Sequence, residues 1–204
     1  VTATRGQAGS RGAPPLCTPG ALPDVREREL RCACEALGLQ PPRLLDFEDG
    51  RLAAVDGDTL VAAVLSALAG IEPQVFFTFG PDGLSGHPDH IAVGRAAQEA
   101  YARCPGMAAY YTVAVPVSVA SRLGLGQVRP IPDEAIALSV DVGAAWESKR
   151  AAMACHATQW SATPWLHAGP ERQRAFFGRE YFARPDVRSP EEDFVPGLLR
   201  EHLL

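Results

Sequence analysis

The sequence predicts an α/β fold, with a mostly parallel sheet and helices on both faces. Short apolar runs that suit buried strands alternate with segments of helical periodicity, at roughly the spacing of βα units. A glycine-rich loop and two histidines, His87 and His90, follow directly after one of these strands. The carboxyl ends of strands are where open α/β sheets place their ligands. A chain of 204 residues, 47% hydrophobic, is also long enough to bury a substantial core.

The first quarter of the chain predicts a strand, a loop, a helix and a second strand. Val1–Thr4 has the character of a strand end, and Arg5–Gly20 is rich in glycine and proline, so it forms a loop. Leu22–Leu37 repeats apolar residues on one helical face, and Gly38 suits the position after the last turn. Leu44–Phe47 is a short strand, and an acidic turn follows it.

The middle of the chain contains the segment that carries the candidate chemistry. Thr59–Leu68 is an alanine-rich helix closed by Gly70, and the apolar run Val75–Phe79 is a short buried strand. Gly80–Gly86 is a loop, after which Pro88 opens an apolar-periodic helix.

The remaining elements continue the alternation. They are a strand at Ala108–Val115, an irregular stretch at Val117–Gln127 with a helical turn as the alternative, a strand at Ala135–Val140, helices at Ala144–Ala157 and Glu171–Phe177, and a final strand at Glu180–Phe182. We expect one domain over residues 1–184 and an irregular tail over residues 185–204, which carries several prolines.

Composition excludes some partners and predicts a location. The net charge of −5 leaves no basic footprint for nucleic acid. The longest weakly polar run, Leu60–Ile71, is too short for a membrane span, and no signal peptide is recognisable, so a cytoplasmic location is expected. Of the five cysteines, Cys32 and Cys34 lie two apart in a helix and cannot bridge each other. Reduced, buried thiols are therefore expected.

The histidine segment is suited to metal binding or to polarising a carbonyl. Because Pro88 fits the first helical position, His87 falls at the N-cap, and His90 lies three residues later on the same face. The positive end of the helix dipole keeps both rings neutral. Asp89 could orient a ring by hydrogen bonding. Two solvated loop histidines remain the alternative, since the HxxH spacing is common.

Five segments of the sequence stand out as motifs. They are TATRGQAGS, VREREL, FEDG, TFGPDGLSGHPDHIAVGRAA and KRAAMACHATQ. In order, they resemble the T-R-G-E-A-G loop, the R-x-x-E-L helix start, the acidic turn, the second signature and the K-x-x-A-x-x-x-H-x-T-Q helix end of one family. That family is the LmbE / PIG-L family of zinc-dependent N-acetylglucosaminyl deacetylases, and the resemblance implies a Rossmann-like fold.

The resemblance implies a role for each matching residue. His90 is the position of a zinc ligand, and His87 that of the histidine that stabilises the tetrahedral oxyanion. Arg26, Asp49 and His156 fall at positions that contact the acetylated sugar substrate or line its pocket. Without the family, Arg26 could be a surface arginine, Asp49 a turn residue and His156 a histidine that satisfies helix carbonyls.

The family's first signature, His-Pro-Asp-Asp-Glu, does not occur in the sequence, and the resemblance places it, with the first strand and its helix, upstream of Val1. That signature supplies two zinc ligands and the general base, so we expect weak or absent Zn²⁺ binding and an inactive or nearly inactive chain. A truncated enzyme and a non-catalytic carbohydrate-binding or interaction protein are both open, as is self-association. A third possibility is a metal site made from His87, His90 and either Asp82 or His156.

Overall fold

The computed structural model describes residues 1–104, 106–160, 167–186 and 195–197. These residues form a mixed α/β structure in which strands alternate with helices, which confirms the predicted fold class. The strands are β1 (Thr2–Thr4), β2 (Leu44–Phe47), β3 (Val75–Phe79), β4 (Ala109–Ala114), β5 (Leu138–Asp141) and β6 (Arg179–Asp186). The helices are α1 (Leu22–Ala36), α2 (Gly57–Ala67), α3 (Pro88–Ala102), α4 (Val117–Leu123), α5 (Trp146–Cys155), α6 (Ala157–Trp160) and α7 (Pro170–Phe177).

The chain divides into two compact units. The first unit comprises Val1–Arg51 and Val142–Arg179, and the second comprises Leu52–Asp141 and Glu180–Leu204. The predicted single domain over residues 1–184 stays a prediction.

In the first unit, a parallel strand pair and a helix pair hold the loop regions in place. β1 and β2 are parallel, with Thr2 opposite Leu44. Helices α1 and α5 pack against each other, and Leu22 of α1 and Trp146 of α5 are both buried. Burial of large apolar side chains of this kind is the main source of stability in such a unit.

A disulfide between α1 and α5 corrects one sequence-based expectation. Cys32 and Cys155 form a disulfide, so the prediction of reduced thiols is wrong for this pair. The packing of α1 on α5 brings their Cα atoms to 5.8 Å, within the range that a disulfide requires. Cys17, Cys34 and Cys104 are free and half-buried.

The second unit is built on a four-stranded sheet with the order β3-β4-β6-β5. β3 and β4 are parallel, in register from Val75 opposite Ala109 to Phe79 opposite Val113, while β4 and β6 are antiparallel. α2 and α3 pack against each other, and α3 packs on β3. The aromatic core of this unit includes Tyr101, Tyr110 and Tyr111, which are almost fully buried.

The end of the described chain departs from the predicted tail. β6 extends beyond the expected Glu180–Phe182 to Asp186, because the backbone there pairs with β4 as far as Tyr110. Pro185 and Asp186 are therefore strand residues and not irregular tail. Residues 187–194 and 198–204 of the predicted tail lie outside the described residues.

Smaller corrections concern helices. The stretch from Val117 contains α4, which agrees with the alternative of a helical turn and not with an irregular segment. The helix expected over Ala144–Ala157 is divided into α5 and α6 at His156. Among the described residues, no helix combines the length and the apolar character needed to cross a bilayer.

Candidate active site

The N-cap of α3 fixes the orientation of the first histidine. His87 has extended backbone angles, φ −64° and ψ 127°, and its Nδ1 accepts a hydrogen bond from the Asp89 backbone N–H at 3.2 Å. The predicted N-cap position is confirmed. Because Nδ1 is an acceptor, the neutral ring carries its proton on Nε2. His87 therefore presents an Nε2–H donor.

The second histidine, His90, is held in the opposite tautomer to His87. The ring of His90 stacks on Phe79 at the end of β3, with centroids 4.1 Å apart and planes 10° apart. Its Nδ1 lies 3.2 Å from the Gly83 carbonyl oxygen. A carbonyl can only accept, so Nδ1 carries the proton and Nε2 keeps its lone pair. A carbonyl-oriented imidazole with a free nitrogen lone pair is typical of metal-ligating histidines.

The two rings are neighbours, with centroids 4.9 Å apart, so one site presents an Nε2–H donor beside an Nε2 lone pair. Asp89, between them in sequence, is only 4% exposed, and its Oδ1 accepts from the Leu52 backbone N–H at 3.1 Å. This bond ties the first turn of α3 to the short helical turn at Leu52–Ala54. A role for Asp89 in orienting a histidine stays a prediction.

In the first unit, Asp49 organises the loop after β1. Its Oδ1 accepts from the Thr4 hydroxyl at 3.2 Å, and its Oδ2 accepts from the Ala8 backbone N–H at 3.0 Å. A carboxylate that bonds both the last residue of β1 and the loop that follows holds the start of that loop in place. Whether Asp49 also contacts a substrate stays a prediction.

Arg26 lies against the same loop. Its Nη2 donates to the Ser10 carbonyl at 3.0 Å. A Cβ added to Gly9 would lie 2.4 Å from Nη2, and one added to Gly6 would lie 2.6 Å from Nη1. A side chain at either position would displace the guanidinium, so glycine allows the loop to approach Arg26 closely. The buried Nε of Arg26 makes no hydrogen bond within the described residues.

Arg5 joins three elements of this unit. Its guanidinium forms ion pairs with Glu27 of α1 and, at 2.6 Å, with Asp46 of β2. The hydrogen bond from Arg5 lowers the pKa of Asp46 below its usual value. The loop after β1 is thus tied to α1 and to β2 by the arginine next to Thr4.

His156 lies between α5 and α6. Its Nδ1 lies 3.5 Å from Nε2 of Gln159. Burial of the ring lowers the pKa of His156; the negative charge of Glu29 opposes this shift, and the positive charge of Arg26 adds to it. A cavity of about 200 Å³ in this unit is lined by Thr2, Thr4, Arg5, Gly6, Arg26, Glu27, Leu30, Leu44, His156 and Gln159.

The structure therefore places the predicted residues in two groups. His87, Asp89 and His90 lie in the second unit. Arg26, Asp49 and His156 lie in the first unit, where the loop after β1 contacts both Arg26 and Asp49, and Arg26 and His156 line the same cavity.

Sequence reasoning missed the partner of Glu29. This glutamate is 7% exposed, Thr158 is fully buried, and the two carboxylate oxygens accept from the Thr158 N–H and hydroxyl, both at 2.7 Å. Both residues belong to the motif segments VREREL and KRAAMACHATQ, but nothing in those segments indicates that the two residues pair. Only the fold shows that the two segments are joined.

The described residues do not form a complete metal site. A catalytic zinc takes three protein ligands and keeps one open position. Among the described residues, no three His, Cys, Asp or Glu side chains are placed to hold a metal ion. The alternative of a site made from His87, His90 and Asp82 is therefore wrong, and the version with His156 stays a prediction. At this place, the described residues offer a metal ion at most the two neighbouring imidazoles of His87 and His90.

Comparison with known proteins decides the family. The sequence profile of PIG-L, described as GlcNAc-PI de-N-acetylase, matches residues 1–101. The chain is 30% identical over 218 residues to the 1D-myo-inositol 2-acetamido-2-deoxy-alpha-D-glucopyranoside deacetylase of Rhodococcus jostii, covering 85% of this chain and 70% of that relative. The chain belongs to the PIG-L (LmbE) family. This confirms the resemblance on which the sequence-based expectations depended.

A further relative of this PIG-L chain is a probable N-acetyl-alpha-D-glucosaminyl L-malate deacetylase 2 of Bacillus cereus, 38% identical over 85 residues, which are 41% of this chain and 38% of the relative. Two crystal structures share the fold. One is a conserved protein of Thermus thermophilus, with a TM-score of 0.61, 23% identity, and coverage of 92% of this chain and 82% of that one. The other is an antimicrobial-reagent pseudoaglycone deacetylase, with a TM-score of 0.54, 24% identity, and coverage of 79% and 70%.

Four of the five motif segments lie within the residues that the PIG-L profile matches, and the segment around His156 lies beyond them. The roles assigned to single residues remain predictions.

Proposed function

We propose that this chain is an N-deacetylase that hydrolyses the acetamide of an N-acetylglucosamine conjugate. The observation that carries the proposal is the paired arrangement at the start of α3, where His87 presents an Nε2–H donor and His90 an Nε2 lone pair. Relatives of the chain are named as deacetylases of such conjugates, which supports the proposal.

His87 acts on the charge that develops during hydrolysis. When water attacks the amide carbon, the carbonyl oxygen becomes an oxyanion, and a fixed N–H donor stabilises that charge. The Nε2–H of His87 is such a donor, because the Asp89 backbone N–H holds Nδ1 as an acceptor. Because Nδ1 accepts this bond and has no proton to donate, His87 acts through its Nε2–H, and oxyanion stabilisation is the favoured role.

Arg26, Asp49 and His156 are proposed to bind the sugar. The unpartnered Nε of Arg26 and the cavity that Arg26 shares with His156 support this role. Asp49 contributes by shaping the loop after β1 through its bonds to Thr4 and Ala8. The substrate is proposed to be a small acetylated sugar conjugate.

A metal is proposed to bind at His90, but the described residues do not supply three ligands, so no step is derived through it. We propose that the chain alone binds Zn²⁺ weakly and hydrolyses its substrates slowly. The same observation favours a second candidate, a carbohydrate-binding protein on this fold that performs no catalysis.

The test measures amine release and sugar binding together. The chain is incubated at high concentration with N-acetylglucosaminyl conjugates, with and without added Zn²⁺, and the free amine is quantified. The deacetylase proposal expects slow release that rises with chain concentration and is lost in His87→Gln, but not in His167→Gln. If a conjugate binds but no free amine is released from any conjugate, the non-catalytic alternative is supported. If no conjugate binds and no amine is released, both proposals are overturned.

A further inference from the structure

The loop that precedes His87 is contacted by an arginine distant in sequence. The Arg129 backbone N–H donates to the Leu84 carbonyl at 2.7 Å. A Cβ added to Gly86 would lie 2.5 Å from Nη2 and 2.6 Å from Cζ of Arg129. The guanidinium therefore occupies the space that a side chain at residue 86 would take. Gly86 also has φ +80°, a backbone conformation that favours glycine.

This contact places a permanent cation near the backbone of the candidate catalytic histidine. Since Gly86 precedes His87 and neighbouring Cα atoms are about 3.8 Å apart, Cζ of Arg129 lies within roughly 8 Å of the His87 Cα. An arginine side chain stays charged at every physiological pH.

The charge of Arg129 is not neutralised within the described residues. None of the ion pairs there involves Arg129, which is exposed at the surface. The acidic side chains of the histidine segment are used elsewhere, because Asp82 accepts from the Leu84 N–H at 3.0 Å and Asp89 from the Leu52 N–H at 3.1 Å. The guanidinium fork thus remains available for an anionic ligand.

We propose that Arg129 binds an anionic group, a carboxylate or a phosphate, on the aglycone of the acetylated sugar. The inference rests on the proposed deacetylase function. In a 2-acetamido sugar, the acetamide and the aglycone are attached to adjacent ring carbons. An aglycone anion therefore lies a short distance from the acetamide that His87 contacts. A guanidinium matches either anion with two parallel N–H donors.

This assignment selects a substrate class that sequence identity leaves open. The chain is similar both to an inositol-conjugate deacetylase, whose named substrate is uncharged, and to a probable malate-conjugate deacetylase, whose named substrate carries carboxylates. The position of Arg129 favours the anionic class over the neutral one.

Binding measured by calorimetry tests the proposal without requiring turnover. The probes are N-acetylglucosaminyl L-malate, N-acetylglucosamine 1-phosphate and the neutral methyl α-N-acetylglucosaminide. We expect at least one anionic probe to bind about tenfold or more tightly than the neutral probe, the scale of one hydrogen-bonded charge pair. The preferred probe shows whether the anion is a carboxylate or a phosphate.

Variants show whether Arg129 is responsible. Arg129→Gln should abolish the preference while leaving affinity for the neutral sugar unchanged, and Arg129→Lys, which keeps the charge, should retain part of it. Arg122→Gln, an exposed arginine in the last turn of α4, is the matched control and should behave as wild type. Circular dichroism of each variant confirms folding.

The inference alone is overturned by equal binding of all three probes by the wild type, or by a preference that survives in Arg129→Gln. An equal loss of affinity for all probes in Arg129→Gln also overturns it, since that result assigns Arg129 to loop packing. Failure of the wild type to bind any probe overturns the proposed function together with the inference.

Discussion

Glu29 and Thr158 are joined by two hydrogen bonds although they lie 129 positions apart in the sequence. Oε1 of Glu29 accepts from the Thr158 backbone N–H and Oε2 from the Thr158 hydroxyl, each at 2.7 Å, and both side chains are buried. Thr158 lies two residues after His156. The carboxylate on α1 therefore fixes the start of α6 and, with it, the segment that carries His156.

Glu29→Gln should destabilise the first unit. A carboxylate accepts two charge-assisted bonds from Thr158, whereas an amide keeps only one acceptor oxygen and leaves an N–H₂ group facing a donor. We expect a loss of about 1–3 kcal/mol in the free energy of unfolding, measured by urea denaturation. Glu35→Gln is the control, because Glu35 is exposed on the same helix. Equal stability of the two variants would show that the buried pair contributes nothing.

Gly9→Ala should disturb the loop after β1 through Arg26. The added Cβ would lie 2.4 Å from Nη2 of Arg26, so the guanidinium must move or the loop must shift. A cost of about 1–3 kcal/mol is expected in urea unfolding. Gly20→Ala is the control, since nothing lies within 4 Å of its added Cβ.

A double-mutant cycle isolates this contact. If the clash with Arg26 causes the loss, Gly9→Ala should cost less when Arg26 is already alanine, with a coupling of about 0.5 kcal/mol or more. Additive losses would assign the effect of Gly9→Ala to the backbone of the loop instead.

His156 should make stability depend on pH. Burial lowers the pKa of His156 below its usual value of 6.5, so the unfolded chain binds a proton more readily than the native chain does. The contribution of neutral His156 to stability is therefore complete above the usual pKa. The free energy of unfolding should fall as the pH is lowered from this usual pKa toward the lower pKa of the native state.

Urea unfolding between about pH 7.5 and about pH 5 measures this dependence. His156→Gln should flatten the slope over that window, whereas His167→Gln, at an exposed position, should keep the wild-type slope. A slope that is the same in His156→Gln and in the wild type would remove His156 as its source.

The start of α3 could be predicted from the sequence because its determinants are local. Pro88 specifies the first helical position, and His87 bonds a backbone group only two residues away. The strand Val75–Phe79 is likewise evident from its own apolar run, with the bounds that the structure has. At this part of the candidate site, short-range rules are sufficient.

Other features could not be predicted, because their partners are remote. Neither the Glu29 pair with Thr158 nor the contact of Arg129 with Gly86 leaves a signature in residue spacing. β6 is a similar case: Pro185 favours an irregular tail, but pairing with β4 extends the strand past it. In each case, tertiary contacts outweigh the local preference.

The disulfide between Cys32 and Cys155 provides a last prediction. Five cysteines less the two in this bond leave three free thiols, so a thiol reagent should titrate three in unreduced, denatured protein and five after reduction. Since the bond closes a loop of 123 residues, Cys155→Ser should lose about 2–4 kcal/mol of unfolding free energy. Cys34→Ser, at a free cysteine of α1, should lose less.

The same titration tests the predicted cytoplasmic location. Disulfides persist in oxidising compartments and are rare where glutathione keeps thiols reduced. Protein alkylated directly in the source cells should show three modified cysteines if the bond exists there. Five modified cysteines would mean that α1 and α5 pack without the covalent bond, and Cys155→Ser would then cost no more than Cys34→Ser.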